Sequence, residues 1–568
     1  MGYRPDETSI SMTCREAEND KETAENLYPS DLTTFNFAPF DIDPIDFIPL
    51  DSPCTPARGS WTDPPRQDAD RGEVSPVSVT GEAGEKEGGM SDQSHDTAIS
   101  SDAEERALIP VSEVDDGFKI ATRQDIEALQ NRHQLPANTG GSVSWMRYCF
   151  LSLYRRLMAI VFLANFVALL ACIVKAAQGR FTYGQAANAT SVTLFAGTLM
   201  RHENYINLVF WSITRIPNTA PIALRRSFAK FAYSQGGIHA GSGVSAFGWL
   251  VLYVILACRQ LRLGTAKGNA MAVMSSVTGL VLLTIITTAH PTFRNRYHNA
   301  WENIHRYGGY TAIGLVWAQI ILIAVITSDS NTGMALIQTP AFWFLLIITG
   351  FIIHPYLYLR RLPVDAEKLS NHATRLRFHD QTLPSCVAAR LGHNPLTENH
   401  AFATIPNRDG EEKGYSVIIS NAGDWTRDII DNPPKKIWIK GAPTRGVMRI
   451  ASLFKPIVVV TTGSGIGPCL SFLQVNPNHP LRIIWSARFP EQTYGKEIMS
   501  SVLTSDPNAI IIDTKVTGQP DLEALTYALY KDIEAEAIVI ISNPKVTRDV
   551  VFTMESRDVP AFGAIFDS

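Results

Sequence analysis

Between residues 157 and 359 the sequence holds six apolar stretches of roughly bilayer-spanning length, near 157–174, 191–214, 236–257, 270–289, 304–327 and 340–359. They constrain the fold more than any other feature, because backbone that enters hydrocarbon must satisfy its hydrogen bonds internally, and a helix does so locally. The second stretch is the weakest, since Arg201, His202 and Glu203 interrupt it. Basic residues gather before the first stretch (Arg147, Arg155, Arg156), between the second and third (Arg215, Arg225, Arg226, Lys230), between the fourth and fifth (Arg294, Arg296) and after the sixth (Arg360, Arg361). That bias predicts an integral, multi-pass protein in a lipid bilayer, plasma membrane or endomembrane, with both termini cytosolic. Arg259, Arg262 and Lys267 between the third and fourth stretches weaken the asymmetry. In this topology the sequon at Asn188-Ala189-Thr190 falls on the outer side, which makes Asn188 a candidate glycosylation site.

Residues 1–135 have a different character. Acidic runs such as Asp102-Ala103-Glu104-Glu105 and Glu113-Val114-Asp115-Asp116 lie among many Ser, Thr, Pro and Gly, with no sustained apolar period. Such a segment buries too little apolar surface to offset its ordering entropy, so a disordered acidic tail is predicted. Within it, Phe35, Phe37, Phe40, Phe47 and Ile48 alternate with Asp41, Asp43 and Asp46, a pattern that reads either as a docking peptide for a protein partner or as solvated tail. The first 30 residues show no basic patch followed by an apolar core, so no cleavable signal peptide is expected. The seven cysteines are scattered without a C-x-x-C pair, which excludes a zinc, iron–sulfur or dithiol motif and a disulfide scaffold. Nothing points to nucleic acid.

Two histidines stand inside the apolar region. His239 opens the third stretch and His305 the fifth, and odd-numbered passes run in the same direction, so both imidazoles lie near the cytosolic face. They could clasp one b-type haem iron between two helices, or sit at the interface bonded to backbone or headgroups.

From about residue 365 the pattern becomes soluble. Short β-like runs at 374–379, 386–389, 401–405, 416–420 and 436–440 precede an α/β-like pattern from Pro456. A small barrel (365–445) followed by a doubly wound sheet (450–568) is the parse, on top of a helical bundle at 145–362. Val458-Val459-Val460-Thr461-Thr462 runs into Gly463-Ser464-Gly465-Ile466-Gly467-Pro468, a strand, a glycine turn and a helix start. Gly463, Gly465 and Gly467 allow close backbone approach to a nicotinamide nucleotide, and the helix start at Pro468 offers amide donors to phosphate. Downstream, Ser486 and Arg488 could hold a ribose 2′-phosphate, with Lys496 assisting; that favours NADPH over NADH, although both could be plain surface residues.

His400-Ala401-Phe402-Ala403-Thr404-Ile405-Pro406 resembles the flavin-contact segment of the ferric reductase and NADPH oxidase superfamily, and Gly423-Asp424-Trp425-Thr426 resembles its second flavin motif. With the glycine turn, the three occur in family order. The resemblance covers about 145–568 and implies a six-helix membrane bundle carrying a ferredoxin-reductase-like FAD and NAD(P) module. It implies that His400, Phe402 and Thr404 contact the flavin ring, Gly423 and Thr426 its pyrophosphate, and that Phe566 near the C-terminus covers the flavin until nicotinamide displaces it. On this reading Thr404 and Phe566 are the catalytic candidates. The segments 298–306, 541–544 and 560–568 look similar to fungal TmpA-like membrane flavoproteins, a likeness that implies a redox-derived signal for asexual sporulation, or a place beside secondary-metabolite enzymes. The pattern departs from the superfamily at two places. A second haem pair is expected 13 or 14 residues beyond each histidine, where this chain has Leu252 and Tyr253, and Ala318 and Gln319. Ser542-Asn543-Pro544 stands where a Cys-Gly pair is common. The expected function is electron transfer from NADPH through FAD to a cytosolic-side haem or a membrane-soluble acceptor; transmembrane ferric reduction or superoxide production, and a non-catalytic cofactor-binding sensor or scaffold, are the alternatives.

Overall fold

The computed structural model describes residues 118–564, except 139, 262–263, 329–330 and 408–411. The Phe35–Leu50 segment, Phe566 and residues 1–117 of the predicted tail lie outside the described residues.

The described chain opens not with tail but with a helix, α1 (Arg123–Arg132), started by a capping box between Thr122 and Asp125. It docks on the C-terminal domain: Ala121 N donates to Ile511 O at 2.7 Å, and Ile126 is buried in that domain's core. The predicted tail boundary at 135 is therefore too late. The segment has too few apolar residues to announce itself, and its burial comes from tertiary contact.

Five described helices are long and apolar enough to cross a membrane, by length and composition: α2 (Leu153–Ala177), α6 (Gly236–Gln260), α7 (Ala266–Thr288), α8 (His298–Thr327) and α9 (Pro340–Leu357). The weak second stretch divides at His202 into α3 (Tyr183–Arg201) and α4 (Glu203–Ile213). α3 is polar for a reason: Thr190, Ser191 and Thr193 are buried, and α3 packs between α6 and α9. α6 is the hub of the bundle, packing on α2, α3 and α7, while α7 packs on α8. Small residues permit this. A Cβ on Gly241 would lie 2.7 Å from Met158 O of α2, and Gly237, one turn earlier, sits as tightly against Tyr154 O.

Positions 13 and 14 residues beyond the two histidines are occupied by helix packing. Gln319 Nε2 donates to Thr278 Oγ1 at 2.6 Å and its Oε1 accepts from Ser275 at 3.2 Å, while Tyr253 Oη donates to Met271 Sδ at 2.8 Å. Asn188 is also committed: it lies within α3, and its Oδ1 accepts from Ala341 N at the start of α9 at 3.1 Å. Thr190 is buried with its hydroxyl on Ala186 O. A packed helical sequon cannot present an extended acceptor, which removes Asn188 as a glycosylation candidate.

Between α4 and α6 the chain forms α5 (Ile222–Ser234), and α4 and α5 both meet the C-terminal domains. Arg225 of α5 makes a bidentate pair with Glu536 at 2.7 and 2.9 Å, and Asn207 of α4 exchanges hydrogen bonds with Pro443 and Arg445.

Three residues after α9 the first sheet begins. Its strands are β1 (Arg360–Pro363), β2 (Asp365–Lys368), β3 (Ala373–Phe378), β4 (Val387–Gly392), β5 (His400–Pro406), β6 (Tyr415–Ser420), β7 (Lys436–Ile439) and β8 (Thr444–Arg445). The antiparallel order β1-β7-β4-β5-β6-β3-β2, with β8 on β4, ends on two strands joined by Val364 alone. A sheet whose outer strands are consecutive must curl round on itself, so the predicted small barrel is present, beginning at 360 rather than 365. One helix, α10 (Asp424–Asp431), follows β6.

The last domain is a five-stranded parallel sheet, β9 (Ile457–Thr462), β10 (Leu481–Ala487), β11 (Ile510–Asp513), β12 (Ala537–Ile541) and β13 (Ala561–Ala564), in the order β11-β10-β9-β12-β13. Helices α11 (Ile466–Val475), α12 (Lys496–Ser505), α13 (Leu522–Asp532) and α14 (Pro544–Glu555) link the strands. Val458, Val460, Ile484, Ile538 and Ile540 are fully buried, as strands covered on both faces require. This is the predicted doubly wound sheet.

Candidate functional site

In such a sheet the binding crevice lies at the carboxyl ends of the strands where the connection reverses direction. Here that point is between β9 and β12, and the glycine turn leaves β9 directly into it. Gly463 makes the turn, at φ +53. Trp485 Nε1 donates to Gly463 O at 3.0 Å, and Tyr494 packs on Trp485 with ring centroids 5.5 Å apart, so the turn is braced from β10. Gly465 has no room for a side chain: a Cβ would lie 2.5 Å from Ile541 O and 2.6 Å from Thr461 Oγ1. At Gly467 the nearest atom to a Cβ would be Ile418 Cβ at 3.7 Å, an ordinary contact. The glycines therefore differ in role: one turns the chain, one lets the turn lie against β12, and one faces the barrel. No acidic residue occupies the first turn of α11, which Pro468 shares, so its amide end suits an anion.

The segment across the crevice explains its own sequence. Ser542 and Thr462 hydroxyls hydrogen-bond to each other across the switch point. Asn543 is the N-cap of α14, accepting from Val546 N at 3.0 Å, and Pro544 takes the first helical position. Burial pushes the thiols of Cys386 and Cys469 up to about 12, so neither is a nucleophile at neutral pH.

Ser486 lies near the end of β10 and Arg488 just past it, and the two do not share an environment. Ser486 is buried at 4% exposure, whereas Arg488 is exposed.

The flavin-like segments come together on the barrel beside α11, which packs on β5. His400 and Trp425 stack with centroids 4.1 Å apart, and Phe402 lies 5.7 Å from Trp425. Trp425 Nε1 is held by Glu398 at 3.0 Å. Thr404 is fully buried and its hydroxyl donates to Val387 O at 3.1 Å, so it belongs to the barrel interior and not to a solvent-facing ring edge. Thr426 Oγ1 accepts from Ala422 N at 2.8 Å and Gly423 N at 3.0 Å, closing the turn at the start of α10. Two amides expected to meet a pyrophosphate are thereby used, and exposed Asp424 adds a negative charge to that helix end. The aromatic cluster fits a flat ring; the helix start fits a pyrophosphate less well.

Burial pushes His400 down to about 4, with Glu398 opposing the shift. The folded state thus favours neutral imidazole. Its contribution to stability is complete above the unfolded value of 6.5 and is lost as pH falls through about 4. Thermal melts should decline over that window, and His400→Phe should flatten the decline; equal slopes for both proteins would contradict it.

His239 and His305 lie at the end of the bundle that meets the barrel, near the starts of α6 and α8. His239 Nδ1 is 2.9 Å from Gly197 O. The His305 ring is 5.6 Å from Trp301. Among the described residues no cluster of three or more His, Cys, Asp or Glu could hold a metal ion. The sequence reading missed His202, buried at the α3–α4 break with its ring 3.9 Å from Phe351, and Glu203, fully buried and ion-paired with buried Arg390 of β4. The signal was the charged Arg201-His202-Glu203 triplet inside an apolar stretch.

Residues 447–568 match the family model described as the C-terminal domain of adenylate-forming reductase 03009. Two curated relatives from Coprinopsis cinerea, adenylate-forming reductases 03009 and 06235, are each 39% identical to this chain, over 436 and 444 residues. The alignments take in 76% and 77% of this chain but 42% of each relative, so the chain spans less than half the length of the curated relatives it matches. These matches correct the resemblance to the ferric reductase and NADPH oxidase superfamily and to TmpA-like flavoproteins. The physical reason is that a glycine turn is generic, since one is needed wherever a strand approaches a phosphate. Among solved structures, a ferredoxin NADP+ reductase from Neisseria gonorrhoeae with bound FAD and NADP is 15% identical with a TM-score of 0.30, covering 37% of this chain and 99% of its own. A flavohemoglobin from Malassezia yamatoensis with bound FAD and heme is 13% identical with a TM-score of 0.33, covering 68% and 98%. Both superpositions are too loose to carry an assignment.

Proposed function

We propose that this chain is a membrane-embedded, NAD(P)H-dependent flavin reductase module. The glycine turn at the β9–β12 switch point supports this most strongly. Its amides and the start of α11 would take the pyrophosphate, with the Thr462–Ser542 hydroxyl pair beside the nicotinamide. The His400–Phe402–Trp425 cluster would hold the flat ring of FAD, which would supply the conversion of a two-electron hydride into single electrons. The reductase names of the curated relatives favour reductive chemistry.

In the proposed topology α2, α3, α6, α7, α8 and α9 make six passes with both ends on the cytosolic side. This is favoured by the docking of both ends of the bundle on the C-terminal domains, and by the interior position of α3, which lets it be polar. His239 and His305 would hold a single b-type haem, which would supply one-electron transfer to a membrane-soluble acceptor. The packed positions around Tyr253 and Gln319 argue against a second haem beyond it.

Arg488 decides the nucleotide. It stands about 20 residues beyond the glycine turn, where an acidic residue would select NADH and an arginine accommodates the 2′-phosphate. Steady-state kinetics of Arg488→Ala should show KM for NADPH raised about 10- to 100-fold, the worth of a charge-assisted phosphate contact, with KM for NADH unchanged. An equal rise for both would sink the NADPH assignment.

A further inference from the structure

A cavity of about 460 Å³ lies where α5 and the chain leading into α2 meet α14 and β13. Four cations line it: Arg147 and Arg156 around the start of α2, Lys230 from α5 and Arg548 from α14. The one acid on its wall, Glu555, is held by Lys230 at 2.5 Å, so the lining carries a positive excess. Arg147 is exposed and lies 5.3 Å over the Tyr148 ring. Arg156 also bonds Arg147 O at 3.0 Å, which fixes the two side by side at the bend between the short π-helix Met146–Phe150 and α2.

A second hollow of about 390 Å³ adjoins the first and has a different character. Val143, Met146 and Leu151 line it, exposed at 74%, 45% and 44%, and it shares Arg147 and Arg156 with the basic cavity. One hollow is cationic, the other apolar, and two arginines stand at their border. α2, whose apolar window has no buried residue, rises directly from this place.

We propose that the paired hollows hold one anionic phospholipid, its phosphate headgroup against Arg147, Arg156 and Arg548 and its acyl chain beside Val143, Met146 and Leu151. A bare phosphate or a soluble nucleotide would satisfy the cations but leave the apolar hollow in water; a zwitterionic lipid would fill the hollow but bring a cation among cations. A lipid seated here touches α14 and α2 together, so it ties the nucleotide domain to the bundle.

The proposal rests on the membrane reading above, and the test separates the two. The full chain is reconstituted in nanodiscs of phosphatidylcholine alone, then with phosphatidylglycerol titrated in, and bound phosphatidylglycerol is counted by native mass spectrometry. Retention in the phosphatidylcholine discs tests the membrane reading; its failure sinks both. One tightly held phosphatidylglycerol is expected, and Arg147→Gln with Arg548→Gln should weaken it about 25-fold, about fivefold for each cation removed. Arg123→Gln, a 79% exposed charge on α1, should leave it unchanged. Equal affinity in the double variant and the parent overturns the proposal, as does loss of the bound lipid on adding inorganic phosphate alone, which would assign the cations to a free anion.

Discussion

Gly465→Ala should abolish tight NADPH binding and lower the melting temperature, whereas Gly467→Ala, two residues on, should do neither. The asymmetry follows from what each added methyl would meet. At 465 it would lie 2.5 Å from the backbone oxygen of Ile541, and that oxygen belongs to the strand paired with β9. The clash can be relieved only by lifting the turn from β12, at a cost of about 1–3 kcal/mol in overpacking alone. Because the turn itself is displaced, its amides lose their aim, and at least a tenfold loss of affinity is expected, equivalent to about 1.4 kcal/mol. At 467 the nearest neighbour would be 3.7 Å away, and the stability change should stay within about 0.5 kcal/mol. Titration calorimetry with NADPH and thermal melts check both; tight binding by Gly465→Ala would contradict the assigned geometry.

Glu203→Ala should be the most destabilising exchange at the junction of bundle and barrel. Arg390 is 2% exposed and its guanidinium also reaches Lys440 O at 3.3 Å, so it cannot turn to solvent when its acid partner is removed. Stranding one member of a buried pair costs about 3–5 kcal/mol, while replacing both with apolar residues of similar size is often neutral. The double variant Glu203→Leu with Arg390→Met should therefore melt closer to the parent than either single variant. Additive losses in that cycle would show that the pair is not coupled.

Much of this architecture was legible in the sequence, and the exceptions have physical causes. β3 to β7 were found to within a few residues because each carries an apolar face or run. β1 and β2 were missed because Arg360-Arg361-Leu362-Pro363 and Asp365-Ala366-Glu367-Lys368 are charged and largely exposed; they are strands only because the curl of the barrel supplies partners. α1 was taken for tail because Ile126 and Leu129 are a short apolar stripe whose burial depends on α13. The Arg201-His202-Glu203 break was visible, but not its meaning, since the partner of Glu203 lies 187 residues away on β4. At the site, the glycine turn could be read from spacing alone because it is local. Thr404, Ser486 and Asn188 could not, because which strand face is covered, and which helix end needs a cap, depends on chain far away.

The most direct test of nicotinamide-linked flavin reduction is the absorption spectrum of the detergent-purified full chain, recorded oxidised and then after anaerobic addition of NADPH before any chemical reductant. Bleaching of a bound flavin is expected, followed by reduced b-type haem bands that His239→Ala removes. A bound flavin that NADPH leaves oxidised, or a protein with no flavin at all, would contradict the proposal and favour a binding module without turnover.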